Sequence, residues 1–347
     1  MRSVLKGKSA VFVLVLVLAL VAAACGGGDE PAAGEGTKVG MAYDIGGRGD
    51  QSFNDSAAAG LDKAVEDLGI EAKELEPTGG GENREENLRV LAEAEHELIF
   101  GIGFAFSDSI AAAAADFADT NFAIVDSVVE LPNVASLVFA EEQGSALVGA
   151  AAALKSETGT IGFIGGVDID LIKKFQAGFE FGAKQINPDI EIQVQYLTSV
   201  PDFSGFGDPA KGKEAALAMY GNGADVVFHA AGGSGAGLFE AAKETSEAGS
   251  HVWAIGVDSD QILTVGEELK PYILTSMLKR VDVAVNSTID AYVTSGTQSG
   301  IVVFDLSVDG VGYSTTGGYV DDIADQLEEL KASIVAGDIE VPTVPEG

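Results

Sequence analysis

Three carboxylates stand where apolar runs stop. Asp44 follows KVGMAY (38–43), Asp126 closes NFAIVD (121–126) and Asp258 closes HVWAIGVD (251–258). Lys279-Arg280 follows YILTSML (272–278), and Phe104-Ala105-Phe106 follows ELIFGIG (97–103). Two glycine-rich loops complete the set. One is YDIGGRGDQSFNDSAAA (Tyr43–Ala59), with Ser52-Phe53-Asn54 towards its end, and the other is Gly232-Gly233-Ser234-Gly235-Ala236-Gly237 after DVVFHA (225–230). An ionised carboxylate only accepts hydrogen bonds, and one carboxylate takes both donors of a vicinal diol. An aromatic face stacked on a base contributes about 1–3 kcal/mol. The set points to recognition of a neutral, hydroxyl-rich molecule with a flat face.

The same residues argue against other chemistries. A strand, a glycine turn and a helix start form the grammar of a phosphate loop, but Asp44, Asp50 and Asp55 lie inside this one and repel phosphate. The second loop fits an anion nest or a tight turn that admits a neighbour's backbone, and it departs from the GxGxxG fingerprint. His96, His229 and His251 are far apart, none with a Cys or His at ligand spacing, and His229 inside a strand pattern reads as a structural histidine. Ser234 has no His/Asp partner by motif. No metal, cofactor or catalytic group is expected. Each residue also has a plainer reading: Phe53 fits core or a hydrophobic staple, and Asp44 and Asp258 fit capping or turn roles. Their convergence at strand ends carries the case. Arg48-Gly49-Asp50 matches an adhesion tripeptide too short to carry weight.

The elements that must position these residues alternate. Strand-like apolar runs are separated by Ala-rich helical patterns over the 347 residues, which indicates doubly wound parallel α/β architecture with ligands beyond the strands' carboxyl ends. The runs form two batches, the first ending near VASLVF (134–139) and the second beginning with TIGFIGG (160–166). Two lobes are expected, 38–140 plus about 259–298 and 141–258 plus about 299–340, joined by several crossings. Ahead of them, Arg2, Lys6 and Lys8 precede the 15-residue apolar run AVFVLVLVLALVAAA and then Cys25, the sole cysteine. That is a signal peptide (1–25) with a lipobox-like end, although Ala22 stands where a lipobox usually has Leu. GGGDEPAAGEGT (26–37) reads as a flexible tether. Without residues 1–25 the chain carries 17 Lys+Arg against 54 Asp+Glu, a balance that disfavours nucleic acid and anionic lipid partners.

Read in order, DIGGRGDQSFNDSAAAGL (44–61), FAIVD (122–126), VDIDLIKKFQAGFEFGAK (167–184), GDPAKGKEAA (207–216), FHAAGGSGAG (228–237), AIGVDSDQ (254–261) and LTSMLKRVD (274–282) resemble the basic membrane protein family. These are substrate-binding lipoproteins that include purine nucleoside receptors of ABC importers. The resemblance implies a type I periplasmic-binding-protein fold with three crossings and the ligand in the cleft. It implies that Phe53 and Phe206 sandwich a purine, with Phe203 an alternative to Phe206. It gives Asp44, Asn54 and Asp126 as polar contacts of the first lobe and Asp258 and Lys279 as contacts to base or ribose. Gly233 would bring backbone near the sugar, and Phe175 would wall the pocket. The expected protein is a non-enzymatic, monomeric receptor, lipid-anchored through Cys25 on the extracytoplasmic face, that delivers a nucleoside to an ABC permease. A sensor of the same fold feeding a signalling partner is the alternative.

Overall fold

The structure is a computed structural model, and it describes residues 33–346. The signal-peptide segment, Cys25 and residues 26–32 lie outside the described residues. The chain begins with β1 (Lys38–Ala42), α1 (Phe53–Leu68), β2 (Glu71–Leu75), α2 (Arg84–Glu93), β3 (Leu98–Gly101), α3 (Ser107–Asp116), β4 (Asn121–Val125) and β5 (Val134–Phe139). It then enters α4 (Glu141–Lys155), β6 (Thr160–Asp168), α5 (Asp170–Ile186), β7 (Glu191–Ser199), α6 (Pro209–Gly221), β8 (Val226–Ala230), α7 (Gly235–Ala248), β9 (Trp253–Asp258), the short α8 (Gln261–Thr264) and β10 (Ile273–Lys279). α9 (Val281–Ser295), β11 (Gly300–Phe304), β12 (Val311–Tyr313) and α10 (Ala324–Val335) follow.

Two six-stranded sheets result, ordered β11-β5-β4-β3-β1-β2 and β12-β10-β9-β8-β6-β7. Pairing is parallel except for β10 with β12. The interior strands β3, β4 and β8 are buried along their whole length, as helices on both faces require. This is the two-lobed type I periplasmic-binding-protein fold. The chain passes between lobes at Phe139–Glu141, at Lys279–Val281 and between β11 and β12.

The sheets divide the chain differently from the sequence expectation. The expected first lobe takes in YILTSML with 259–298, but β10 pairs with β9 in the second sheet. The residues of β11 were assigned to the second lobe with 299–340, but β11 pairs with β5 in the first. The first lobe is therefore 38–139 with α9 and β11, and the second runs from α4 to β10 and resumes at β12. The run 273–277 is buried throughout, so it belongs inside a covered sheet; β11 is exposed over four of its five residues, as an edge strand is. Two strands escaped the sequence reading altogether. β2 (EAKEL) is a polar edge and β12 is only three residues long.

Candidate functional site

The carboxyl ends of β1, β3, β4, β8, β9 and β10 converge on one cavity between the lobes. Asp44, Phe53, Asn54, Asp126, Phe175, Phe206, Asp258 and Lys279 all line it. Gly233 is the exception. Its neighbour Gly232, at φ 52°, lies on the wall, while Gly233 sits beside the Phe206 carbonyl and the Asp50 side chain. Gly233 therefore packs one lobe's loop against the other, and the backbone that faces the cavity is one residue earlier.

The acidic glycine loop has an internal explanation. Asp50 accepts from the backbone N–H groups of Ser52, Asn54 and Asp55 at 2.9, 2.9 and 3.1 Å. Asp55 accepts from those of Gly49 and Gln51 at 2.7 and 3.0 Å. The N–H groups that would cradle a phosphate are occupied by the chain's own carboxylates. Burial raises the Asp50 pKa, against the pull of these hydrogen bonds. Asn54 belongs to the same framework: it accepts from Asp44 N and donates to the Ile45 carbonyl and Asp50. Its amide N–H groups and its Oδ1 are engaged inside the loop, while the residue lines the cavity. Asp44 is held by Arg84, whose Nε lies 3.0 Å from Asp44 Oδ1.

Asp126 directly follows β4 and Asp258 ends β9, the third strand of each sheet. Both have left-handed backbones, with φ of 68° and 62°, a conformation non-glycine residues adopt where surrounding structure enforces it. Lys279 is buried beside them. Its Nζ donates to Asp126 Oδ2 at 2.6 Å and lies 3.2 Å from Glu141 Oε1. The same ammonium lies 5.0, 5.3 and 5.5 Å from the ring centres of Phe139, Phe53 and Phe175, within cation–π range. Burial alone would lower the Lys279 pKa, but Asp126, Glu141 and Asp258 outweigh it and raise it, so the ammonium stays charged. Burial pushes Asp126 up to about 6 despite Lys279. Asp126 Oδ1 has no hydrogen-bond partner among the described residues. Asp258 is pushed up to about 7 by burial, with Lys279 and the Ser52 hydroxyl pulling the other way.

Aromatic rings from both lobes close the cavity. Phe104 meets Phe203 and Phe206 edge-on, at 5.8 and 6.4 Å between centres. Both Phe203 and Phe206 line the space. The Phe206 ring rests on Gly166, where a Cβ would come within 2.5 Å of it. Phe104, which follows β3, also lines the cavity and stands outside the expected set of binding residues. Glu141 left no usable signal, since an acidic residue at a helix start is ordinary and only the crossing after β5 buries it.

Residues 37–344 match the family described as Bmp, ABC transporter substrate-binding protein PnrA-like. The chain belongs to this family. It is 35% identical over 362 residues to a protein of Lactococcus lactis subsp. cremoris named ABC transporter nucleoside-binding protein BmpA, covering 97% of this chain and 99% of that one. It is 32% identical to basic membrane protein A of Borreliella burgdorferi, covering 96% and 95%. A solved solute-binding protein of an ABC transporter system from Aeropyrum pernix K1 superposes with a TM-score of 0.78 at 29% identity, covering 89% and 94%. This Bmp-family chain is thus an ABC transporter substrate-binding protein.

Proposed function

We propose that the chain binds a nucleoside, preferably a purine nucleoside, in the cavity and presents it to a membrane permease. The observation that carries this reading is the pairing of aromatic rings from both lobes with two strand-end carboxylates near a buried lysine. Phe53 and Phe206 supply a stacking slot, with Phe203 and Phe104 at its edge. Asp126 and Asp258 accept from ribose hydroxyls, and Lys279 favours their ionised forms against the effect of burial. Asp44 and Phe175 complete the wall, and Gly232 offers backbone in the place first assigned to Gly233. A relative named as a nucleoside-binding protein supports the ligand class. Cys25 would carry the lipid that keeps the receptor on the extracytoplasmic face, and no helix among the described residues is long and apolar enough to cross a membrane.

Inosine, guanosine or adenosine is expected to raise Tm in a thermal-shift screen, while the matching 5′-monophosphates are not, because the cleft's carboxylates repel them. Phe206→Ala should weaken nucleoside binding by roughly 5- to 150-fold, the equivalent of one lost stacked face. A clear response to a sugar or amino acid, with none to any nucleoside, overturns the assignment.

A further inference from the structure

Helix α1, which opens the first wall of the cavity, begins unusually. Ser52 occupies its N-cap, where a serine oxygen ordinarily accepts from an N–H of the first turn, yet the Ser52 side chain makes no such bond. Asp50 takes the N–H groups of Asn54 and Asp55 instead. Released from capping, the Ser52 hydroxyl donates across the cleft to Asp258 Oδ2 at 2.6 Å. The Ser52 carbonyl accepts from Ser259 Oγ at 3.0 Å, and the Gln51 carbonyl accepts from Gln261 Nε2 at 3.0 Å. Gln51 has a φ of 56°, a costly conformation for a side-chain-bearing residue that persists where contacts enforce it. All three bonds join protein atoms of the first lobe to protein atoms of the second.

Gln261 is itself aimed. Its Oε1 accepts from Val257 N at 2.8 Å, which fixes the amide's orientation and turns Nε2 towards Gln51. The same oxygen lies 3.0 Å from His229 Nε2; an oxygen only accepts, so His229 carries its proton on Nε2. His229 is fully buried and absent from the cavity wall. The Gln261 backbone N–H donates to Ser276 Oγ at 3.1 Å, tying the turn to β10.

We propose that Gln51-Ser52 and the Asp258–Gln261 turn form a ligand-independent latch that holds the lobes closed, with Ser259 and Gln261 as its positioning residues and His229 aiming Gln261. The inference rests on lobes that open and close, not on which ligand enters. A latch of this kind raises apparent affinity by raising the fraction of molecules already in the binding-competent form.

Ser259 and Gln261 do not line the cavity, so their variants test closure without touching the ligand. Small-angle scattering of ligand-free protein should give a larger radius of gyration for Gln261→Leu and Ser259→Ala than for wild type. Inosine affinity should fall by about 2- to 10-fold for each lost bond. Ser259→Thr, which keeps the hydroxyl, should match wild type in both measurements. A ligand-free wild type as open as the variants overturns the latch. So does a fall in Tm alone, with scattering and affinity at wild-type values. If inosine binds none of these proteins, the nucleoside reading fails and the ligand-free scattering still decides the latch.

Discussion

Asp258 carries its charge over only part of the neutral pH range, because burial holds its pKa at about 7. Hydroxyl donors of a bound sugar favour the ionised form and lower that pKa, so binding releases a proton when it starts from the protonated acid. Affinity therefore falls as pH falls. The Kd for inosine, measured by calorimetry, should rise between pH 8 and pH 6 and approach about tenfold per unit below 7. Asp126, at about 6, steepens the loss below that. Asp258→Asn should flatten the profile and weaken binding at pH 8. The sign for folding is the reverse of an ordinary salt-bridged aspartate. The folded chain holds this proton between the ordinary value of 3.8 and about 7, so the group's contribution to stability declines as pH rises through that window. Asp258→Asn should accordingly raise the ligand-free Tm at pH 8, by about 2–5 °C. Arg84→Met should act in the opposite direction. It strands Asp44, whose side chain is 15% exposed, and should cost about 2–4 kcal/mol in chemical denaturation, with Asp44→Asn restoring part of the loss. The strand-end rule found Asp44, Asp126 and Asp258 from sequence alone. It could not find Arg84 or Glu141, because a partner 40 residues away or across a crossing leaves no spacing to read.

Among the elements, α4 and α5 form a close backbone junction. A Cβ on Gly149 would come within 2.1 Å of the Phe179 carbonyl oxygen, and one on Gly182 within 1.9 Å of that of Ala146, so the two helices meet backbone to backbone. Gly182→Ala forces them apart and should cost about 1–3 kcal/mol, read as a lower denaturant midpoint. Because α4 starts with Glu141, which also faces Lys279, the same change should weaken ligand binding. Elements such as β4 and β8 were legible because strands covered on both faces read as unbroken apolar runs. Edge strands lack that pressure: β2 carries charge, and β12 is too short to show a period. β10 and β11 also lie in the opposite lobes from those the sequence pattern suggests. Local pattern tells that a run is a strand, but only the length of covered sheet on offer decides which sheet takes it.

At the scale of the molecule, net charge sets the background against which everything else is stable. The full chain has 20 basic and 54 acidic residues, so the compact state works against its own repulsion. Raising NaCl from 0.05 to 1 M shortens the Debye length to about 3 Å and should raise the ligand-free Tm by several degrees. Nucleoside affinity should change little, since a neutral ligand has no long-range attraction to screen. The three passages between lobes bear on how the chain is made. Neither lobe is a continuous piece of polypeptide. The first sheet lacks β11, and α1 lacks the cover of α9, until residues 281–304 have emerged from the ribosome. Domains ordinarily fold in sequence as they are synthesised, whereas here the opening 100 residues cannot complete their unit ahead of the rest. For a chain proposed to be exported, that delay prolongs the interval in which it remains threadable through a translocation pore.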